Sequence, residues 1–150
     1  MRYAAIDIGS NAVRLLLCHV ELEHGETHFR KGELVRIPLR LGEDAFRLGR
    51  ITEERATRFV KTMEAFRLLI EVFEPVAYRA CATASLREAK NGEELIRRVR
   101  EKSGLNIEII SGKEEAEIIY SNHVEEHLDP IRAYLYIDVG GGSTELTLFD

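Results

Sequence analysis

Short apolar runs separated by turn-forming residues open the chain. Tyr3-Ala4-Ala5-Ile6 suits a buried strand, Gly9-Ser10-Asn11 is a turn, and residues 13–20 are a second apolar run. Two runs joined by so short a turn predict a β-hairpin. After the polar residues 21–25, residues 26–39 read as a third strand, with Gly32 as a bulge. Residues 41–49 carry two glycines and read as a loop. Thr52 followed by Glu53 and Glu54 is an N-cap pattern, and Ala56, Phe59, Val60, Met63, Phe66, Ile70 and Phe73 then recur at helical spacing up to Pro75. Residues 76–82 predict a strand. Asn91-Gly92-Glu93-Glu94 and Ser111-Gly112-Lys113-Glu114 read as two capping boxes. The first opens a helix that ends near Gly104, and the second opens one reaching about Glu126. Ile107 and Ile109 mark a short strand between them. Residues 133–139, a glycine turn and residues 144–149 repeat the strand-turn-strand pattern of the start. Three strands followed by helices that alternate with strands predict an α/β fold, a mixed sheet with its first three strands antiparallel and helices flanking it.

Composition narrows this picture. With 150 residues, 45 % of them hydrophobic, the chain can build a core without disulfides. No apolar run approaches the roughly 18 residues of a membrane span, and Asp7 interrupts the only N-terminal apolar stretch, so neither a membrane anchor nor a signal peptide is expected. A cytoplasmic protein follows. Cys18 and Cys81 lie far apart in apolar runs and read as reduced thiols. The net charge of −5 argues against a nucleic-acid partner. A polyanionic ligand would need local arginines, backbone N–H groups and a metal to hold it.

The two ends of the chain resemble each other. Ile6-Asp7-Ile8-Gly9-Ser10-Asn11 and the strand after it align with Ile137-Asp138-Val139-Gly140-Gly141-Gly142 and its strand, with Ile, Asp, Gly and two Leu matching. Ordinary hairpins can share such features, but the unbroken order favours a duplicated unit. The expected division is a first domain at residues 1–130 and, at 131–150, the opening strand-turn-strand of a second.

Small-residue turns present several N–H groups to one point and so can nest an anion. Gly140, Gly141 and Gly142 allow close approach, and Ser143 and Thr144 add hydroxyls. Asp138 and Glu145 suit Mg²⁺, which takes oxygen ligands. Asn11 in the first turn is a candidate phosphate contact, though Asn is also a common turn former. Thr83 and Ser85 offer hydroxyls or cap a turn. Arg87 is the best phosphate cation, or else a surface partner of Glu88. Arg14 is a weaker candidate, since strand alternation can point it at solvent. With Ser111 as N-cap, Glu114 falls at the position that bonds back to the cap. Glu115 then sits beside the apolar stripe of Ala116, Ile119, Tyr120 and Val124, and partial desolvation suits it to act as a general base. His123-Val124-Glu125-Glu126-His127 matches a zinc-peptidase pattern but lacks an identifiable third ligand.

Four segments in order resemble the exopolyphosphatase / guanosine pentaphosphate phosphatase family. Residues 7–15 are similar to its first phosphate motif, with Ala12 where Ser is usual. Residues 82–91 resemble its Ala-Thr-x-x-x-Arg-x-Ala-x-Asn segment, residues 110–116 its Ser-Gly-x-Glu-Glu-Ala segment, and residues 138–145 its second phosphate motif. The resemblance implies an actin-like ATPase fold of ribonuclease-H-like domains, with the active site in the cleft between two of them. It implies Mg²⁺-assisted release of terminal phosphate from polyphosphate or guanosine pentaphosphate, with the catalytic glutamate at Glu115. A sugar-kinase-like or actin-like ATPase, and a non-enzymatic phosphate-binding fragment, are the rival readings. The edge of the second hairpin is expected to pair with another chain, giving a homodimer, or to pack back on the first domain. Ultracentrifugation that finds a monomer whose tail after Val139 is protease-sensitive would count against pairing between chains.

Overall fold

Strand alternation decides which way the sheet faces. In β1 (Arg2–Ile8) the side chains of Ala4, Ile6 and Ile8 are buried, while Tyr3, Ala5 and Asp7 on the other face stay partly exposed. β2 (Val13–Glu23) buries Val13, Leu15 and Leu17 and turns Arg14, Leu16 and Cys18 the other way. The computed structural model, which describes residues 1–23, 26–120, 134–139 and 144–149, continues this sheet with β3 (Glu26–Ile37), β4 (Ala77–Ala82) and β5 (Glu108–Ile109). Strand order is β3-β2-β1-β4-β5. The first three strands pair antiparallel, and β4 runs parallel to both β1 and β5. The expected mixed sheet is therefore present. So is the bulge: Leu16 faces Leu34 but Cys18 faces Lys31. A Cβ on Gly32 would lie 2.6 Å from the Leu17 carbonyl oxygen, so the bulge requires glycine.

Four helices cover one face of the sheet. α1 (Leu41–Leu48), α2 (Glu53–Phe73), α3 (Ala84–Glu88) and α4 (Gly92–Ser103) contribute Leu41, Ala45, Phe59, Met63, Phe66, Leu86, Leu95 and Val99 to one cluster with Ile6, Ile8, Val13 and Leu15. Each large side chain buried there is worth about 1.5–3 kcal/mol. The opposite face of the sheet, carrying Asp7, Arg14, Arg79 and Cys81, stays open, with α5 (Gly112–Tyr120) beside it. Among the described residues no helix is long and apolar enough to cross a membrane.

Three local expectations change. Residues 41–49 are helix α1, not loop. Leu41 and Ala45 supply the buried side, and Gly49 ends the helix in the left-handed conformation. Residues 84–88 form a short helix that no periodicity announced. Asn91 stands at the N-cap of α4 but does not cap it. Its side-chain oxygen accepts the Ile51 N–H at 2.9 Å, and its amide donates to the Ile51 carbonyl at 2.9 Å. Asn91 thus ties α4 to the segment before α2.

The duplicated pattern reappears in three dimensions. β6 (Tyr134–Val139) and β7 (Thr144–Phe149) form a separate two-stranded antiparallel sheet. Its register copies that of the first hairpin. Ile6 faces Leu15, Asp7 faces Arg14 and Ile8 faces Val13; Ile137 faces Leu146, Asp138 faces Glu145 and Val139 faces Thr144. The expected boundary at residue 130 falls outside the described residues.

Gly92 has no room for a side chain, because an added Cβ would sit 2.0 Å from the Leu86 carbonyl oxygen. Gly92→Ala is expected to cost about 1–3 kcal/mol or more by forcing α3 and α4 apart. A lowered urea midpoint with an unchanged slope checks this.

Candidate functional site

The turn at residues 9–12 uses its carbonyls and leaves its amides. The Gly9 N–H donates to the Ala12 carbonyl at 3.2 Å. The carbonyls of Ser10 and Asn11 accept the N–H groups of Gly42 at 2.8 Å and Arg40 at 2.9 Å. The N–H groups of Ser10, Asn11 and Ala12 have no backbone acceptor among the described residues. Three successive amides without acceptors are the elements of an anion nest. They border an open cleft of about 610 Å³ on the uncovered face of the sheet.

A buried charge network holds the segment that occupies those carbonyls. Arg40 precedes α1 in the left-handed conformation, with φ 53°. Arg55 donates to the carbonyls of Leu39, at 2.9 Å, and Arg40, and its Nε lies 3.1 Å from Asp44 Oδ1. The Thr52 N–H reaches Asp44 Oδ2 at 3.0 Å and the Thr52 hydroxyl donates to the same oxygen, so Thr52 does not cap its own helix. Burial alone would raise the Asp44 carboxyl. The Thr52 donors and the Arg55 charge outweigh it and hold the group below its usual value.

Charged and polar side chains line the cleft around the turn. Asp7 and Arg14 face each other across the hairpin and form an ion pair. Arg14 therefore points into the cleft, not merely to solvent. The Thr83 hydroxyl lies 3.5 Å from the Ile8 carbonyl, and Ser85 is fully buried with no hydrogen-bond partner for its hydroxyl among the described residues. Cys81 lies beside Asp7 in the parallel β1–β4 register. Burial pushes its thiol up, which leaves it protonated and a poor nucleophile. Neither cysteine is in a disulfide.

α5 supplies the glutamates. The Glu114 N–H donates to Ser111 Oγ at 3.1 Å, so half of the expected capping box is made. The other half is not: the Glu114 carboxylate takes Arg79 Nη2 at 2.8 Å. Glu115 lines the cleft, and its Oε2 lies 3.7 Å from Arg87 Nη1. Arg87 also donates to the Ile110 carbonyl at 2.9 Å and has Glu88 at 3.5 Å. The helix is less buried than its stripe suggested, since Ala116 and Ile119 are only half-buried.

Asn11, Thr83 and Glu115 thus border one cleft, with Arg87 behind Glu115, and Val139 at the end of β6 lines the same cleft. Thr144 is exposed at the start of β7. Gly140, Gly141, Gly142, Ser143, the side chains of Asp138 and Glu145, and the zinc-like pattern at residues 123–127 lie outside the described residues. Among the described residues no three acidic, His or Cys side chains cluster as a metal site. Asp7, Arg14 and Arg79 are cleft residues to which the sequence assigned no firm part. The Asp7↔Arg14 register was the available signal for two of them.

Residues 29–150 match the model of the Ppx/GppA phosphatase family. The chain belongs to this family. A Ppx/GppA family member from Aquifex aeolicus has the same fold, with a TM-score of 0.81 and 32 % identity over 99 % of this chain and 47 % of its own. An exopolyphosphatase from Cytophaga hutchinsonii gives a TM-score of 0.82 at 28 % identity, over 99 % of this chain and 46 % of its own. Exopolyphosphatase 1 of Mycobacterium tuberculosis is 28 % identical over 98 % of this chain and 42 % of its own length. A bifunctional 3-dehydroquinate synthase/phosphatase of Fusobacterium nucleatum is 33 % identical over 97 % of this chain and 22 % of its own length. The chain spans less than half the length of these relatives. Within the Ppx/GppA family the fold is of the actin-like ATPase type, as expected.

Because the folded Asp44 carboxyl titrates below its unfolded value, its stabilising effect is present at neutral pH and is lost as pH falls through the folded value. Asp44→Asn is expected to lower the urea midpoint at pH 7. The gap to the wild type should close as pH drops from about 4 towards 2. A gap of constant size would remove the charge from this account.

Proposed function

We propose that this chain forms one wall of a phosphohydrolase site that releases terminal phosphate from inorganic polyphosphate or guanosine pentaphosphate. The observation that carries the reading is that Ser10, Asn11 and Ala12, whose N–H groups have no backbone acceptor among the described residues, line the same cleft as Glu115. Both substrates carry a terminal phosphate in phosphoanhydride linkage, and phosphoryl transfer mostly needs positioning and neutralised charge. The N–H groups of the first turn take phosphate oxygens, with the Asn11 amide and Thr83 hydroxyl beside them. The second turn, Gly140 to Thr144, does the same from the other hairpin. Glu115 orients the attacking water and accepts its proton. The Arg87 guanidinium, 3.7 Å from Glu115, is the cation proposed to share the charge of the phosphate.

Mg²⁺ fits the residue types proposed for it. Asp138 and Glu145 are cross-strand register partners, and an acid opposite an acid is unfavourable unless a cation joins them. When bound, the ion would neutralise charge on the phosphate oxygens. Oxygen donors of this kind are what the ion takes.

An ATP-hydrolysing or phosphotransferring relative of the same fold is the competing reading. Phosphate release from polyphosphate, guanosine pentaphosphate and ATP by the full-length protein separates them. Release from one or both of the first two, little from ATP, and none by residues 1–150 alone is expected. Glu115→Gln should lower turnover by about 100-fold or more, in line with the loss of a positioned base. Unchanged turnover in that variant would remove Glu115 from the mechanism.

A further inference from the structure

We propose that Arg79 is a positioning residue for Glu115, an inference that rests on the function proposed above. Arg79 stands on the open face of β4 and borders the cleft. Its Nε and Nη2 donate to Glu108 Oε2 on β5 at 3.2 and 3.0 Å. Its Nη2 also donates to Glu114 Oε1 at 2.8 Å. One guanidinium therefore bridges β4, β5 and the first turn of α5.

Consecutive helical residues point in directions about 100° apart, so Glu114 and Glu115 cannot face the same way. Fixing Glu114 against the sheet fixes the rotation of this first turn, and with it the direction of Glu115 into the cleft. The backbone bonds support this. The Glu115 N–H donates to the Ser111 carbonyl at 2.9 Å, and Arg87 holds the Ile110 carbonyl just before the helix. Two arginines from adjacent elements thus each grip one end of this turn. Arg79 does so through Glu114, which gives up the reciprocal capping bond to Ser111.

Stability alone does not explain the arrangement. Arg79 and Glu114 are each nearly half exposed, at 49 % and 42 %, and ion pairs that open to solvent add little to folding. Two donors on Glu108 and one on Glu114 from a planar, pre-organised side chain instead add directional constraint. The carboxylates keep Arg79 firmly charged, since hydrogen bonds from Glu108 first and Glu114 next raise its pKa.

The test compares phosphate release from polyphosphate by full-length Arg79→Met, Arg79→Lys, Glu114→Gln, Arg79→Met/Glu114→Gln and Glu115→Gln proteins. Thermal unfolding is measured for each. Arg79→Met is expected to lower kcat about 10- to 100-fold, the scale of a misplaced catalytic group, with KM within about twofold of wild type. Glu114→Gln should lower kcat in the same way. The double variant should be no worse than the poorer single, and Arg79→Lys should recover part of the rate. Unfolding midpoints should barely move. If Arg79→Met fails to fold, Arg79→Lys and Glu114→Gln carry the same kcat test. A raised KM with unchanged kcat in the Arg79 variants would overturn the proposal, because Arg79 would then touch substrate itself. Additive losses in the double variant would overturn it too. A dead Glu115→Gln beside a fully active Arg79→Met would sink this inference alone. An active Glu115→Gln would sink the base and its positioning together.

Discussion

A strand offers one face to a core and the other to whatever lies opposite, and β1 carries both halves of this molecule on its two faces. Ala4, Ile6 and Ile8 close the hydrophobic core, while Asp7, one residue out of phase, opens onto the cleft. The strand cannot slip by one residue without moving that whole apolar set into water and the carboxylate into the core. Its parallel partner β4 obeys the same rule, burying Ala80 and Ala82 and turning Arg79 and Cys81 outward. Burial of the core side therefore sets the positions of the charged side, and the cleft inherits its geometry from packing.

The charges in the cleft are largely spoken for. Arg14 pairs with Asp7, Arg79 with Glu108 and Glu114, and Arg87 with Glu115 and Glu88. A polyanion approaching this wall meets Asp7 and Glu115 beside Arg14 and Arg79, with no excess of guanidinium groups, in a chain whose net charge is −5. Attraction has to come from something without a counterion, and the backbone amides of residues 10–12 meet that condition. They are kept in place by α1, whose first residues occupy the turn's carbonyls, and α1 is kept in place by Asp44, Thr52 and Arg55. The turn at residues 9–12 and this ion-pair network form one structural unit, although they lie on different elements.

Much of this was legible in the residues. Apolar runs with short turns located both hairpins, helical spacing located α2, a capping pattern and Gly104 located α4, and Gly32 marked the bulge. The small-residue turns and Glu115 stood out as candidates because several small or acidic residues came in unbroken order. The errors share a cause, which is that the partner was distant along the chain. Gly42 reads as a loop residue until Ser10 and Phe46 are seen packed where its side chain would be, each with a carbon 2.8 Å from an added Cβ. Asn91 reads as a cap until Ile51 takes both of its amide groups. Glu114 reads as half of a capping box until Arg79, far away in sequence, competes for it. Local rules predict which groups need hydrogen bonds, and tertiary contacts decide where they get them.

The two hairpins share a register but differ in the charge of one facing pair. Both keep the strand, the aspartate and the register of the closing pair. They differ in what stands opposite the aspartate: Arg14 faces Asp7, whereas Glu145 faces Asp138. An acid opposite a base is neutral within the hairpin and leaves the turn's amides as the main attraction for an anion. An acid opposite an acid puts two negative charges in one register pair, and the proposed cation site rests on that pairing. The apolar faces diverge as well. Ala4, Ile6 and Ile8 are buried under helices, but their counterparts Leu135, Ile137 and Val139 are more than half exposed in this chain, which covers less than half of its relatives' length. A phosphate held by the first hairpin and a divalent ion held by the second would each supply the charge that the other lacks. Val139 lining the cleft of the first hairpin puts the second within its reach. Under the proposed function, the Arg14-to-Glu145 difference is what would add a cation to the second turn beside the phosphate that both turns take.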